Sequence, residues 1–120
     1  LKILVVDDSK VARLILMKTV KHVEPNARFI EAEDGAVAVE LYKTEKPDVV
    51  FLDLTMPVMD GYEALEKIME IDSYAQVVVV SADIQAEAKE RVLKLGAKSM
   101  CPKPISDEKM MKIFMHDIVV

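Results

Sequence analysis

The chain has 120 residues, 52% of them hydrophobic and 31% charged, which suits one domain able to bury roughly two-thirds of its unfolded surface and leaves no room for a second. A net charge of -5 argues against a nucleic-acid footprint, and no apolar run approaches the ~20 residues that cross a bilayer. A lone cysteine, Cys101, excludes an internal disulfide and fits a reduced, cytoplasmic setting. No leader peptide is expected, because the first apolar run, Leu4 to Val6, ends in two aspartates. Leu1 stands where a methionine would begin a gene product, so the chain is expected to be a trimmed one.

In chain order, the first β-branched run, Ile3 to Val6, ends in Asp7-Asp8. Ser9 follows as a helix cap, and its helix is predicted to reach about His22, before Pro25 enforces a break. At ~100° per residue, Ala12, Ile15, Leu16, Thr19 and Val20 form the core stripe of that helix. Leu14 and Met17 fall opposite, near Lys10 and Lys21. They are either the scattered exposed apolar residues that any surface carries or a face that docks a partner. A weaker strand, Ala27 to Glu31, leads through Gly35 into a second helix that ends before Pro47. Val49 to Leu52 is the third strand and ends in Asp53; Asp60 caps a third helix from about Tyr62 to Ile71. Val77 to Val80 ends in Ser81, and the fourth helix runs from about Gln85 to Leu95 with Gly96 as its stop. A second weaker strand, Lys98 to Cys101, meets Pro102-Lys103-Pro104. Ser106 caps the fifth helix, in which Met110, Phe114 and Ile118 are expected to share a face with Met111 and Met115.

The strong runs lack polar alternation, so both faces of those strands should be covered. Strand and helix alternate throughout, which indicates an α/β domain with helices on both faces of a parallel sheet. Ligands of such sheets bind beyond the carboxyl ends of the strands. The pattern gathers Asp7, Asp8, Asp53, Ser81 and Lys103 there, from four distant parts of the sequence. Three carboxylates repel one another and call for a cation. Oxygen ligands suit a hard divalent ion, and magnesium, which keeps several waters, needs only one or two carboxylates. A metal, a lysine, a hydroxyl and a carboxylate nucleophile make up phosphoryl-transfer machinery, with Asp53 as the nucleophile. Each residue alone has a plainer reading. Asp7 and Asp8 can form a solvated turn, Ser81 a helix entry, and Lys103 an ordinary loop position. Gly61 and Gly96 suit turns, and Met56 and Met59 suit packing. His22 and His116 have no second histidine at ligand spacing.

These motifs together resemble the receiver domains of bacterial and archaeal response regulators. The residues that carry the resemblance are Val5-Val6-Asp7-Asp8-Ser9, Asp48 to Pro57, Met59-Asp60-Gly61, Val80-Ser81-Ala82, Gly96-Ala97 and Lys103-Pro104, and the match spans residues 1–120. The nearest likeness is to single-domain, CheY-like members. The resemblance implies a flavodoxin-like, doubly wound five-stranded parallel sheet of order 2-1-3-4-5 with five helices. It implies that Asp8, Asp53 and the backbone carbonyl of Thr55 hold Mg2+, with Asp7 acting through water. It implies that Asp53 takes a phosphoryl group from a phosphohistidine of a sensor histidine kinase or phosphotransfer protein. Lys103, joined to Pro104 by a cis bond, pairs with the phosphoryl oxygens, and Ser81 hydrogen-bonds them. A downstream effector then reads the fourth helix, fifth strand and fifth helix. The implied protein is a phosphoacceptor and not an enzyme in the wider sense, a monomer or phosphorylation-dependent dimer with no membrane or nucleic-acid partner. Two positions depart from the common pattern: Met100 stands where many receivers carry an aromatic switch residue, and serine replaces threonine at 81.

Other readings of the same features fit less well. A haloacid-dehalogenase-type phosphatase needs a second aspartate two residues after the nucleophile, where this chain has Thr55. A flavin-binding protein of this fold needs a phosphate cradle after the first strand, where Asp7 and Asp8 would repel phosphate. A degenerate, unphosphorylated receiver would not need so complete a site.

Overall fold

The computed structural model describes residues 1–119. Five strands, β1 (Lys2–Val6), β2 (Arg28–Ala32), β3 (Val49–Leu52), β4 (Val77–Ser81) and β5 (Ser99–Pro102), form one sheet of order β2-β1-β3-β4-β5. All four pairings are parallel. Five helices connect and follow the strands: α1 (Lys10–Val23), α2 (Gly35–Glu45), α3 (Gly61–Ile71), α4 (Ala86–Lys94) and α5 (Asp107–Lys112), the last continuing as a π turn over Ile113–Asp117. The fold class and strand order agree with expectation.

The unbroken valine runs have a direct cause. Leu4, Val6, Val50, Leu52, Val77 and Val79 face one core, shared with Leu65 and Ile68 of α3 and Val92 of α4. Ile3, Val5, Val49, Phe51, Val78 and Val80 face the other, shared with Val20 of α1 and Met110 of α5. With both faces of β3 and β4 covered, no position in those strands is left for a polar residue until the strand ends. Each such side chain stabilises the fold by roughly 1.5–3 kcal/mol through burial.

The capping chemistry is mostly as read from sequence. Ser9, Asp60 and Ser106 accept from the amides of Ala12, Glu63 and Lys109 at 3.2, 2.9 and 3.1 Å. Asp34, not singled out from sequence, caps α2 through Val37 N–H at 2.9 Å. Gln85 caps α4 without a side-chain bond. Gly96 follows α4 at φ +112°, a backbone region that suits glycine.

Two helix faces require correction. In α1 the buried stripe is rotated toward Met17, which packs on the core with Leu16 and Val20, while Ile15 is 49% exposed beside Val11 and Leu14. The rotation turns Arg13 inward, where it reaches β2 and the end of β1, and leaves a cavity of about 260 Å³ between Ile15 and the Pro104-Ile105 loop. In α5, Met110, Phe114 and Ile118 are buried, but Met111 and Met115 are 52% and 66% exposed. The buried Ile113 lies on the far side of Met110 from Met111, so the core face is centred away from both exposed methionines.

Candidate functional site

The alternation of the strands sets the site. Ile3 and Val5 are followed in the same inward row by Asp7, Val49 and Phe51 by Asp53, and Cys101 by Lys103. Thus three charged side chains end three apolar rows on the α1–α5 side of the sheet. Asp7 and Asp53 are buried and Asp8, one residue on, is exposed. One carboxylate oxygen from each lies within 4.8 Å of the other two. Lys103 Nζ spans the buried pair, at 2.7 Å from Asp7 Oδ2 and 3.2 Å from Asp53 Oδ1.

The backbone holds these groups in place. Asp7 N–H donates to the Ala32 carbonyl and Asp53 N–H to that of Val6, at 3.1 and 3.0 Å. Asp7 Oδ1 accepts from Ser9 N–H and Asp53 Oδ1 from Leu54 N–H, both at 2.9 Å. Burial pushes the Asp53 carboxyl above its ordinary value, and the charge of Asp7 pushes the same way; Lys103 and the Leu54 amide only partly offset them. Burial pulls the Lys103 ammonium down, but its bond to Asp7 and the charge of Asp53 outweigh this, and its affinity for a proton ends above the ordinary value. Three carboxylates against one ammonium leave the site short of positive charge. A hard divalent cation fits that donor set, and Asp8, which enters no hydrogen bond or ion pair among the described residues, is free to meet it.

The family described as the response regulator receiver domain matches residues 3–115. The chain belongs to that family. A chemotaxis protein CheY of Listeria monocytogenes is 40% identical over 112 residues, covering 93% of each chain. A protein-glutamate methylesterase/protein-glutamine glutaminase of Pyrococcus abyssi is 41% identical over 88% of this chain but only 29% of its own length. Among solved structures, the CheX–CheY–BeF3–Mg2+ complex of Borrelia burgdorferi contains a chain 35% identical to this one, with a TM-score of 0.83 over 92% of this chain and 84% of that one.

The remaining expected residues of the receiver are dispersed around the carboxylates. Ser81 is buried and continues the row of Val77 and Val79, on the α3–α4 side of the sheet. Its Oγ accepts from Asp83 N–H at 3.0 Å, so its own proton is not committed by that bond. The Ser81 side chain has no hydrogen bond to Asp53 or Lys103 among the described residues, although the Ser81 carbonyl accepts from Lys103 N–H at 3.1 Å. Met100 is buried on the same side, paired in register with Val79, beside Ala88, Val92 and Ala97. Thr55 is exposed in the loop after Asp53. The Lys103–Pro104 bond is cis, as the resemblance implies.

Three features of the receiver were not singled out for these roles from sequence. Gly61 donates to the Leu54 carbonyl at 2.9 Å, and a Cβ there would meet the Asp53 carbonyl oxygen and lie 2.6 Å from Leu54 Cα. Its signal in the sequence is the glycine directly after Asp60, a position that by itself suits a turn behind a helix cap. Val58 has φ +68° and is 84% exposed. Arg13 braces the β1–α1 turn from behind, and nothing in its sequence context marks it.

Proposed function

We propose that Asp53 of this receiver accepts one phosphoryl group from a phosphohistidine of a sensor histidine kinase or phosphotransfer protein. An Asp53 oxygen forms the bond to phosphorus as the bond to the imidazole nitrogen breaks, and the imidazole leaves with the electron pair. The observation that carries this reading is the Lys103 ammonium bridging two buried carboxylates with a third, Asp8, that has no partner among the described residues, within 4.8 Å. Asp8, Asp53 and the Thr55 carbonyl would hold Mg2+, with Asp7 acting through water. When bound, the ion supplies positive charge against the carboxylates and the phosphoryl oxygens. Lys103 is placed to move from its carboxylate partners onto phosphoryl oxygens, and the free proton of Ser81 to donate to one. The Borrelia complex, which contains Mg2+ and BeF3, supports this assignment. The chain promotes only its own phosphotransfer and dephosphorylation.

Docking and output follow from the two sides of the sheet. The donor meets α1, where Val11, Leu14 and Ile15 are exposed and Ile15 lines the apolar cavity that reaches Asp53 and Lys103. The effector meets α4, β5 and α5, where Leu93, Met111 and Met115 are exposed, and Ser81 and Met100 share the intervening core side. Met100 is flexible and has no hydroxyl to latch, so the change it passes on is graded. The setting is the cytoplasm; no helix among the described residues is long and apolar enough to cross a membrane.

The test is acetyl phosphate or phosphoramidate with Mg2+, read by intact mass. One phosphoryl group is expected on the wild type, none in excess EDTA, and almost none on Asp53→Asn. Equal labelling of that variant would overturn the assignment.

A further inference from the structure

We propose that Arg13 is a positioning residue for the metal-binding carboxylates, acting through the Asp7 backbone; this rests on the reading that Asp8 and Asp53 hold Mg2+. Arg13 lies in the first turn of α1. Its Nη1 donates to the Asp7 carbonyl at 2.7 Å and its Nε to Glu31 Oε1 on β2 at 2.8 Å. The arginine side chain is 13% exposed and the glutamate 43%. The guanidinium therefore joins three elements at one point: the end of β1, the start of α1 and the edge strand β2.

Asp8 shows why that brace matters. Its carboxylate has no described partner, so its direction is set by the backbone of residues 7–9. That backbone is tied by Asp7 N–H to Ala32, by Ser9 N–H to Asp7 Oδ1, and by Arg13 to the Asp7 carbonyl. The Arg13 bond is charge-assisted, as is the Ser9 bond to the Asp7 carboxylate, and at 2.7 Å it is the shortest of the three. Nε and Nη1 are separate donors in a rigid planar fork, so one arginine satisfies two acceptors that are not adjacent. An ammonium, with all its donors on a single nitrogen, cannot span them. Glu31 in turn holds the guanidinium in place.

Position and charge predict opposite signs. A cation beside a cation site repels the incoming ion, so by charge alone the removal of Arg13 should tighten Mg2+ binding. By positioning, its removal frees the β1–α1 turn, lets Asp8 swing into solvent and weakens binding. Loss of a residue that orients a metal ligand costs about tenfold or more in affinity.

The experiment is calorimetric titration of Mg2+ into the metal-free chain, with amide spectra as the check on fold. Arg13→Met should bind about tenfold more weakly, with spectral changes confined to the β1–α1 turn and β2. Arg13→Lys should recover only part of the loss. Glu31→Gln keeps an oxygen acceptor for Nε and should stay near wild type, whereas the field reading expects it to weaken binding. An Arg13→Met chain that binds as tightly as wild type, or more tightly, overturns the proposal. If that chain does not fold, Glu31→Ala against Glu31→Gln decides, since both lose the charge and only the first loses the acceptor for Nε: several-fold weaker binding by the alanine chain than by the glutamine chain supports positioning, and equal binding overturns it. A wild-type chain that binds no Mg2+ would fail a step earlier, removing the functional reading itself.

Discussion

At the amino-terminal edge of the sheet the ends of the chain segments close on one another, whereas at the carboxyl edge they converge without closing. Lys2 N–H donates to Asp48 Oδ2 at 2.7 Å, and Asp48 N–H returns a bond to the Lys2 carbonyl at 2.8 Å. The Gln76 amide then donates to the carbonyls of Asp48 and Val119 at 3.1 and 2.7 Å and accepts from Val119 N–H. Donors and acceptors are matched there. At the other edge, three carboxylates face one ammonium and the Asp53 carboxyl is pushed up by burial. The same parallel strands thus carry a clasp at one end and an electrostatic deficit at the other. Unfavourable local energy of this kind persists where the rest of the fold over-determines the geometry.

The largest effect expected at the carboxyl edge is at Gly61. A methyl group there meets backbone, not a flexible side chain, so the loop carrying the acceptor must move. Gly61→Ala should cost roughly 3 kcal/mol by denaturant unfolding and should also cut acetyl-phosphate labelling of Asp53. Unchanged stability with full labelling would show that the loop is not held where the contact places it.

Next comes the pH dependence of the deficit. The folded Asp53 carboxyl holds its proton more tightly than the unfolded one, whose ordinary value is 3.8. The folded state therefore binds more protons between that value and the raised one, and stability falls as pH rises through this window. Asp53→Asn removes that slope and should be more stable than wild type at neutral pH without metal, with the advantage shrinking near pH 4. Added Mg2+ should restore wild-type stability and leave the variant unaffected. Parallel pH profiles for the two chains would place the deficit on another group.

The strands and the acceptor edge were legible because one physical cause wrote both. Strands covered on two faces must be continuously apolar, so the first charged residue after each run, Asp7, Asp53 or Lys103, marks its end. Ser81 was found in the same way, although its side chain belongs to the opposite face. The orientation of α1 was less legible. Periodicity gives the width of an apolar stripe, but Val11, Leu14, Ile15, Leu16, Met17 and Val20 cover so much of the helix that its centre is open. What decides it is Arg13 reaching Glu31, eighteen positions away, and no local pattern reports that. The exposed Met111 and Met115 were misplaced because a 3.6-residue period gave no weight to Ile113, and the π turn that follows Lys112 has no marker in the sequence.

A smaller effect tests the amino-terminal clasp. Gln76→Ala removes the hydrogen bonds to Asp48 and Val119 at a site where water can replace them. A loss of about 1–2 kcal/mol is expected, with Mg2+ affinity and phosphorylation rate both unchanged. A change in either would mean that the two edges communicate through the sheet and that the clasp is more than structural.

The smallest effect tests whether backbone strain also belongs to the carboxyl edge. Val58 lies between Asp53 and Gly61 at φ +68°, where a β-branched side chain crowds its own backbone at a cost of about 1–2 kcal/mol. At 84% exposure its isopropyl group recovers little of this through packing. Asparagine tolerates the left-handed region and does not carry glycine's extra unfolded-state entropy. Val58→Asn is therefore expected to stabilise the chain by up to about 1 kcal/mol, and Val58→Gly by less. The loop keeps its shape in either variant through the Gly61 bond to Leu54 and the Met59 carbonyl, which accepts from Gly35 N–H at 3.1 Å. Labelling of Asp53 should then proceed at the wild-type rate, and the strain would be incidental to the site. Slower labelling in a more stable Val58→Asn chain would instead show that the strained turn helps to present the Thr55 carbonyl, and would add backbone conformation to the charge imbalance that sets this edge apart from the other.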